Sequence, residues 1–541
     1  MIPDDCSVTS IPANCFSFNG NLTDVRLSNK ITTINDRAFY SCQKLVSIDL
    51  PTGLKTIGTN AFHTNSALEN VVFHDNLTTI GNGAFGECKK LKNIDLPQSL
   101  KTIGIGAFKS VAAETVTIPA SVTSIGGAAF AKTANMKAFS VESGNSNYIS
   151  VEGVLFTRDM KTLAAYPAAS VRDVSYTVPA GVTIIQEGAF SNARLTHITL
   201  PSTLTTIYNG AFAYNVNLTE LTIPAAVNSI GKSNISNSEI AMKNENIILG
   251  TSVTSLYLLN SANFPIIDTS VDARYVVPNR TNSLTASQFP KVYVKKTAYD
   301  SGIYQEANLW SQMSFAYDIP VILPASGLKT MGRDFDVDLS SSDIKAYVAV
   351  SVTQTDDTPI TNMEEIAVPG KTSGKYVPSR TGLHTVNGTD YETYTGVVLK
   401  GAGGTSSSYR IGEDDAATTT QDNYLVAATD ATKVAMTETK DGTLYTNLGL
   451  NSGKFRPFTA DGTIPYNKCW LSIPTSMVET SGAKIFVMNF MENGTTGIAG
   501  MQVENKAETN AGKVCYNLQG IRVSRPQHGI YIRNGKKVII K

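Results

Sequence analysis

Histidines and serines are the residues that most often carry metal binding or nucleophilic catalysis, and their spacing in this chain supports neither. The five histidines are His63, His74, His197, His384 and His528. A helical zinc site needs two histidines in a His-Glu-x-x-His motif, so that both face the metal. No such pair occurs, and no Gly-x-Ser-x-Gly turn presents a serine. The chain has many Asp and Glu residues, so a catalytic pair of carboxylates like that of a glycosidase stays possible, but no motif indicates which two residues would form it. We therefore expect no enzyme, no metal and no cofactor.

Two short motifs end like a phosphate-binding loop. Gly231-Lys232-Ser233 and Gly370-Lys371-Thr372 have its last three residues. The upstream glycine, which lets the backbone close around the phosphate, is replaced by Ala226 in one motif and by Glu365 in the other. The sequence therefore predicts no nucleotide site.

The segment Asp334–Asp338 alternates aspartate with apolar residues, as a calcium loop does at its start. Such a loop needs glycine at position six and glutamate at position twelve, where this chain has Leu339 and Lys345. A strand that turns Phe335, Val337 and Leu339 inward explains the alternation better.

Length and charge narrow the classes of protein. A chain of 541 residues is too long for a single hydrophobic core, which indicates two to four domains. Lys+Arg and Asp+Glu both number 45, so electrostatics give no reason to expect nucleic-acid binding. No apolar run reaches the ~18–20 residues that span a bilayer. The start, Met1–Cys6, has neither the basic nor the apolar part of a signal peptide.

A hexad, Ile-x-x-x-Ala-Phe, recurs through the first part of the chain. Neighbouring phenylalanines are 22 or 23 residues apart, except across a gap from Phe130 to Phe190. The clear copies end at Phe39, Phe62, Phe85, Phe108, Phe130, Phe190 and Phe212, and weaker copies are Ile11–Phe16 and Ile230–Ile235. A unit of this length cannot bury its apolar side alone, so the recurrence predicts stacking into a solenoid.

A second signature, Leu-x-x-Ile-x-Leu-Pro, lies between the hexads. Its copies begin at Leu45, Leu91 and Leu195, with a variant at Leu218. The alternation predicts a short strand, which the proline ends because it has no N–H to donate. The period and the strand pattern are typical of leucine-rich repeats. We therefore predict a mainly β fold, with a solenoid of short strands and short helical or 3-10 turns.

Two cysteines belong to the repeat. Cys42 and Cys88 each follow a repeat phenylalanine by three residues. They are two units apart, so stacking at ~4.8 Å per strand separates them by about 10 Å, beyond the ~7 Å reach of a disulfide. We interpret both as small buried residues. The cysteines that show no metal-ligand spacing are Cys6, Cys15, Cys469 and Cys515.

The run Leu-x-x-Ile-Gly-x-x-Ala-Phe-x-x-Cys-x-x-Leu at Leu77–Leu91 resembles the BspA-like leucine-rich-repeat family of bacterial surface proteins. The resemblance covers about residues 6–235. It extends to the gap between repeats, where about residues 140–178 look like the hairpin that these proteins insert.

The end of the solenoid departs from the repeat. Residues 236–322 read as a degenerate closing part of a first domain, 1–322. Its end, Val292–Val294 followed by Tyr299, Ile303 and Trp310, is similar to the strand and helix that close such solenoids. The i, i+4, i+11 spacing places the last three side chains on one helical face.

From about Leu323 the pattern changes to short alternating runs separated by Gly, Ser, Asp and Thr. Examples are Ile344–Val350, Thr395–Lys400 and Lys484–Met491. They predict an antiparallel, sandwich-like all-β domain over 323–498. This domain resembles a β-module that follows solenoids in Bacteroidetes-type secreted proteins.

The last residues, 499–541, form a separate tail. Asn534-Gly535 stands between two apolar runs, which predicts a β-hairpin. The tail resembles the C-terminal tails of secreted Bacteroidetes proteins, which are related to sorting tails. The resemblance implies an extracellular or outer-surface location, with a signal peptide already removed from this sequence.

The outward residues of the solenoid strands are the candidate binding site. Side chains alternate along a strand, so those between the inward Leu and Ile project to the other face. Solenoids bind large partners on such faces, although any sheet exposed on one side is polar there. The predicted partner-binding residues are Asp24, Arg26, Ser47, Asp49, Asn70, His74, Asn93, Asp95, Thr115, Thr117, His197, Thr199, Glu220 and Thr222.

Two functions fit these features. The first is a non-enzymatic adhesion or interaction protein, for which the resemblance implies host matrix or other cell-surface proteins as partners. The alternative is a glycan-binding protein that uses its C-terminal β-domain, with Tyr391, Tyr394 and Trp470 as an exposed sugar platform. Burial of Trp470 and Tyr391 would instead place them in the core.

Overall fold

A computed structural model describes most of the chain. The described residues are 7–170, 175–232, 248, 251–260, 266–267, 290–306, 314–355, 358–414, 417–428, 432–440, 442–464, 468–479, 486–491, 502–504, 515–516, 522–523, 529–533 and 536–540. They divide into two compact units. The first is Met1–Ile319 with Gly382–Thr393, and the second is Pro320–Thr381 with Tyr394–Lys541.

The first unit is built from very short strands. They are β1 (Ser10–Ile11), β2 (Thr33–Ile34), β3 (Ser47–Asp49), β4 (Thr56–Ile57), β5 (Asn70–Val72), β6 (Thr79–Ile80), β7 (Thr102–Ile103), β8 (Thr115–Ile118), β9 (Ser124–Ile125), β10 (Ala138–Val141), β11 (Tyr148–Val151), β12 (Val154–Thr157), β13 (Thr162–Ala165), β14 (Ser175–Thr177), β15 (Ile184–Ile185), β16 (His197–Thr199), β17 (Thr206–Tyr208), β18 (Glu220–Ile223), β19 (Ser229–Lys232), β20 (Ser255–Leu258), β21 (Ile266–Ile267), β22 (Lys291–Val294) and β23 (Phe315–Ala316). Two short helices, α1 (Lys296–Asp300) and α2 (Ile303–Glu306), follow β22. The predicted mainly β solenoid is confirmed.

Strands stack in parallel on two sides of the repeat. The Leu-x-x-Ile-x-Leu segments and their variants give strands paired as β3–β5, β8–β10, β14–β16 and β18–β20–β22–β23, except the copy at Leu91, which forms no strand. The Thr-Ile pairs that open the hexads give a longer sheet, β1–β2–β4–β6–β7–β9, which the sequence interpretation did not include. A two-residue strand has no run of alternating residues, so its pattern carries no period-2 signal.

The repeat phenylalanines form the centre of the solenoid. Their rings stack nearly parallel, with centroids 5.0 to 5.8 Å apart, in the order Phe16, Phe39, Phe62, Phe85, Phe108 and Phe130. Phe190 and Phe212 stack in the same way beyond the gap, at 5.6 Å. The hexad isoleucines and alanines are buried around them. The hexad therefore defines one layer of core per repeat.

The Ala-Phe segment of each repeat turns the chain and also hydrogen-bonds to its neighbour. Within a turn, Ala84 N–H donates to Gly81 O (3.2 Å), as in a 3-10 turn. Between turns, Phe62 N–H donates to Ala84 O and Phe85 N–H to Ala107 O, both at 2.8 Å. The turns thus continue the backbone hydrogen bonding of the parallel sheets on the third side of the repeat.

Cys42 and Cys88 are buried, as predicted, and each also donates a hydrogen bond. The Cys42 thiol donates to Phe16 O (3.1 Å) and the Cys88 thiol to Phe62 O (3.2 Å). Asn65 stands at the same repeat position, and its amide donates to Phe39 O (3.1 Å). This position therefore satisfies a carbonyl of the preceding repeat.

A hairpin interrupts the repeats where the sequence predicts one. β11 pairs antiparallel with β12, and β12 with β13, which then joins β15 in parallel. The row of turns continues across the insertion, because Ala128 N–H donates to Glu187 O (2.9 Å). The stack of repeats is thus extended sideways by the hairpin and is not broken by it.

The closing helix differs from the prediction of one helix carrying Tyr299, Ile303 and Trp310. The structure has two short helices, because Gly302 takes φ +72° and ends the α-helical path between them. Tyr299 and Ile303 are half-buried against the core of the solenoid. Trp310 lies outside the described residues.

The second unit is almost entirely β. The remaining elements are β24 (Ile319–Ile322), β25 (Leu328–Gly332), β26 (Val337–Asp338), β27 (Lys345–Thr355), β28 (Thr358–Glu365), β29 (Tyr376–Val377), β30 (Arg380–Val386), β31 (Thr389–Tyr394), β32 (Gly396–Lys400), β33 (Ser406–Ile411), β34 (Leu425–Ala428), β35 (Thr432–Val434), β36 (Thr437–Lys440), β37 (Thr443–Asn451), β38 (Lys454–Pro457), β39 (Gly462–Ile464), β40 (Lys468–Pro474), α3 (Thr475–Glu479), β41 (Val487–Met491), β42 (Gln502–Glu504), β43 (Cys515–Tyr516), β44 (Arg522–Val523), β45 (Gly529–Arg533) and β46 (Lys536–Ile540). Residues 382–393 of the β30–β31 hairpin belong to the first unit.

Two sheets of this unit share one core. The first sheet has the order β25–β32–β27–β28–β41, and the second has the order β34–β40–β37–β36 with β38 beside β37. Tyr347 and Val398 of the first sheet are buried in one cluster with Leu425, Phe455 and Leu471 of the second. This shared core is that of a β-sandwich.

The tail has a five-stranded sheet of order β42–β46–β45–β43–β44. β45 and β46 pair antiparallel, with Arg533 opposite Lys536, which leaves two residues between the strands. Those two residues, Asn534 and Gly535, lie outside the described residues.

Candidate partner-binding face

Four consecutive repeats present exposed side chains on either side of a buried one. Ile48, Val71, Ile94 and Val116 point into the core. The residues that flank them are exposed, namely Ser47, Asp49, Asn70, Val72, Asn93, Asp95, Thr115 and Thr117. We call these eight residues, together with Asp24, Arg26 and His74, the exposed strand face.

Backbone pairing holds part of this face in register. Ser47 lies opposite Asn70, and Asp49 opposite Val72. Asn93 and Asp95 belong to no strand, contrary to the prediction, and Asp24 and Arg26 also lie outside the strands. The alternation of buried and exposed residues persists there, because the inward side chains still have to reach the core.

The polar groups of the face interact mainly with one another. His74 Nε2 lies 2.8 Å from Asp49 Oδ1 of the preceding repeat. Arg26 Nε lies 4.0 Å from Asp24 Oδ2, with both side chains largely exposed. Exposed pairs of this kind add little stability, so these groups stay available to a partner.

The row of residues just before the strands adds contacts that the sequence interpretation left out. Lys90 Nζ lies 3.3 Å from Glu69 Oε1, and Lys137 Nζ lies 2.6 Å from Glu114 Oε2. Val46 is 46% exposed, and Val72 on the face itself is 49% exposed. Two such exposed valines between polar side chains give the face an apolar component.

The same face is closed in the later repeats, which corrects the prediction for three residues. His197 (2% exposed), Thr199 (1%) and Thr222 (3%) are buried, and His197 Nε2 lies 3.2 Å from Thr199 Oγ1. Glu220 is half-buried and accepts a hydrogen bond from the Tyr257 hydroxyl (3.2 Å).

Residues 382–393 of the same unit lie against the loops after these strands. Ala180 N–H donates to Asp390 O (2.8 Å), and Ser202 N–H donates to Glu392 Oε1 (3.2 Å). These hydrogen bonds join residues 190 and 210 positions apart in the sequence, so no local pattern predicts them. The open part of the strand face therefore ends before β14.

The predicted sugar platform is not a surface feature. Trp470 is 6% exposed, and its indole N–H donates to Asn447 Oδ1 (3.2 Å). Tyr394 is also buried, and Tyr391 is half-buried. Large aromatic side chains of a sandwich fill its core when their polar atoms find a partner there, as Trp470 does.

Asp334–Asp338 behaves as a strand and turn of the second unit. Phe335, Val337 and Leu339 are buried. Asp336 accepts hydrogen bonds from the Tyr376 hydroxyl (3.1 Å) and from Ser379 N–H (2.7 Å). Within the described part of the chain, no three His, Cys, Asp or Glu side chains converge as metal ligands.

In the ranges that the structure covers, no helix is both long and apolar enough to cross a membrane. No curated protein sequence matches the chain.

Solved bacterial leucine-rich-repeat proteins are similar to part of the chain. One from Eubacterium ventriosum is 23% identical, with 50% of this chain and 68% of that one covered and a TM-score of 0.39. One from Bacteroides ovatus is 24% identical, covering 49% and 59% with a TM-score of 0.31. A leucine rich cell surface protein from Faecalibacterium prausnitzii is 19% identical, covering 54% and 85% with a TM-score of 0.39. TM-scores this low carry no argument about this chain.

The repeats themselves identify the family. Residues 9–137 and 166–265 match the BspA type leucine rich repeat region, in six copies. The matched residues include the stacked phenylalanines and the whole exposed strand face. The repeat-bearing part of this chain therefore belongs to the BspA-type leucine-rich-repeat family.

Proposed function

We propose that this is a non-enzymatic, extracellular or surface-displayed binding protein that holds a protein partner on its exposed strand face. The main observation is that neighbouring repeats expose side chains in register while their inward neighbours are buried. Asp24, Asp49, Asn70, Asn93 and Thr115 come from five successive repeats. At ~4.8 Å per strand, they span about 20 Å. Extended solenoid faces of this kind suit large partners.

A protein partner fits the chemistry of the face. Asp24, Asp49 and Asp95 offer carboxylates to basic groups, while Val46 and Val72 offer apolar area. Interfaces between proteins combine such groups, and their charges guide the encounter. The family resemblance favours host matrix or other cell-surface proteins. Later repeats contribute less, because His197, Thr199 and Thr222 are buried.

The test uses two lysine pairs that change the net charge equally. Ser47→Lys with Asn93→Lys alters the exposed strand face, whereas Ser124→Lys with Asn228→Lys alters exposed positions in β9 and just before β19. The chain is first screened against a panel of matrix proteins and a glycan array, and affinities are then measured by biolayer interferometry. We expect the first pair to weaken binding at least about tenfold, through charge and bulk at the contact, and the control to change it less than about twofold.

Equal affinities for both variants, with unchanged melting temperatures, would contradict this placement. Binding only to glycans would contradict the protein partner and favour the second unit.

A further inference from the structure

The second unit contains a cavity of about 930 Å³. One wall comes from β25 of the first sheet, at Leu328–Thr330. The other comes from the second sheet, at the β37–β38 hairpin and the start of β40. Gly453, which turns the hairpin at φ +77°, lies beside the other wall: a Cβ there would make an ordinary contact with Leu328 Cδ1, at 3.7 Å. Cavities of ~300–1,000 Å³ are the size of sites for small ligands.

The charge of this cavity has one sign. Lys329, Arg456 and Lys468 line it, and its lining includes neither Asp nor Glu. Lys329 Nζ donates to Ile322 O (3.3 Å). In the described part of the chain, the side chains of Arg456 and Lys468 have no hydrogen-bond or ion-pair partner. Three cations with no counter-charge attract an anion.

The surroundings of Lys329 and Lys468 disfavour the charged form of both amines. Burial lowers the pKa of Lys329, and the charges of Lys468 and Arg333 lower it further. Burial also lowers the pKa of Lys468. An anion placed between these groups would relieve both effects, because it restores the interactions that the charged amines have lost from water.

The rest of the lining suits a sugar better than a peptide. Phe458 offers an aromatic ring that packs closely on Gly449, where a Cβ would lie 3.0 Å from the ring. Asn451, Ser452 and Thr459 line the same cavity with small hydrogen-bonding side chains. Apolar ring faces and many hydroxyls are the two features of a pyranose, and this lining offers groups for both.

We propose that this cavity binds an anionic saccharide, with Lys329, Arg456 and Lys468 facing its carboxylate or sulfate group and Phe458 packing on a sugar ring. The site is independent of the exposed strand face. It also differs from the aromatic platform of Tyr391, Tyr394 and Trp470, whose tryptophan is buried.

Isothermal titration calorimetry on the full chain tests the proposal. The probes are trigalacturonate for a carboxylate, a sulfated heparin disaccharide for a sulfate, maltotriose for a neutral sugar, and a tri-glutamate peptide for a non-sugar anion. We expect one or both anionic saccharides to bind at least about tenfold more tightly than maltotriose and the peptide, with affinity falling as salt is added.

Variants place the binding in the cavity. Lys468→Met and Arg456→Met should each weaken it at least about tenfold. Lys454→Met is the matched control, because Lys454 is an exposed cation on the same strand as Arg456 but does not line the cavity. Arg456 is exposed, so its variant remains informative if Lys468→Met fails to fold.

Several results would overturn the proposal. The first is that neither anionic saccharide binds at about 1 mM. The second is that maltotriose binds as tightly as the anionic saccharides, or that the glutamate peptide binds more tightly than they do. The third is that Arg456→Met and Lys454→Met weaken binding equally.

Discussion

One position of the repeat, three residues after its phenylalanine, shows how different residues meet the same requirement. Cysteine, asparagine and threonine occupy it at Cys88, Asn215 and Thr133, and each donates to a phenylalanine carbonyl of the preceding repeat, at 3.2, 2.8 and 3.4 Å. Sequence spacing alone indicates that Cys42 and Cys88 are buried and unbridged. It does not reveal the donated hydrogen bond, because the acceptor is a backbone atom of another repeat.

Burial should make Cys88 unreactive in the native protein. Burial raises the pKa of the Cys88 thiol to about 12, so at pH 8 the group stays protonated and the nucleophilic thiolate is scarce. When the native chain is treated with iodoacetamide at pH 8, exposed Cys15 should be alkylated well before Cys88, as measured by peptide mass spectrometry. Alkylation of both at the same rate would show that the core of the repeat opens readily. Denatured chain serves as the control, in which both should react.

At the scale of elements, the repeat gives a core whose members were predictable and a surface that was only partly so. The hexad phenylalanines and the inward residues of β3, β5 and β8 follow from period and alternation. The Thr-Ile sheet does not, because its strands have two residues. The burial of His197 could not be predicted from the repeat either, because it depends on residues distant in the sequence and not on the alternation within β16.

The phenylalanine stack should account for much of the stability of each layer. Phe85 is fully buried between Phe62 and Phe108, with ring centroids 5.2 and 5.5 Å away. Phe85→Ala removes those contacts and leaves a cavity, so it should lower the free energy of unfolding by about 3–5 kcal/mol. Urea denaturation measures this. A decrease of less than ~1 kcal/mol in the free energy of unfolding would mean that packing of the Phe85 ring contributes little to stability.

Two glycines of one turn should differ in their tolerance of a side chain. A Cβ on Gly104 would lie 2.5 Å from Asn82 N, a backbone atom that cannot yield without moving the neighbouring repeat. Gly106 has φ +60°, a left-handed conformation that strains any residue with a side chain. Several non-glycine residues of this chain nevertheless adopt it. We expect Gly104→Ala to lower the free energy of unfolding by at least about 2 kcal/mol and Gly106→Ala by about 1 kcal/mol. The reverse order in urea denaturation would contradict the close packing of turns.

At the scale of the whole molecule, the two proposed binding features belong to two different units. The first offers an open strand face over its early repeats, and the second offers a cationic cavity. Repeats and β-rich composition indicated the two classes of unit. The cavity was not predictable, because Lys329 is far in sequence from Arg456 and Lys468, and the three line one cavity only when the two sheets pack.

Folding of the chain should not require a metal ion. Asp336, the central carboxylate of the segment that resembles a calcium loop, already accepts hydrogen bonds from Tyr376 and Ser379. EDTA should therefore leave the melting temperature unchanged in a thermal scan. A fall of several degrees that added calcium reverses would point to a bound ion that stabilises the native state.

Hydroxyl-radical footprinting in the presence of a protein partner tests the central claim most directly, because it reports on side chains. Val72 lies on the exposed strand face and Val46 directly precedes Ser47 of that face, Val216 is an exposed valine elsewhere in the first unit, and Leu444 is exposed in the second. The proposed binding mode predicts that the partner shields Val46 and Val72 while Val216 and Leu444 are oxidised as in the free protein. Shielding of Leu444 or Val216, with Val46 and Val72 unchanged, would contradict it.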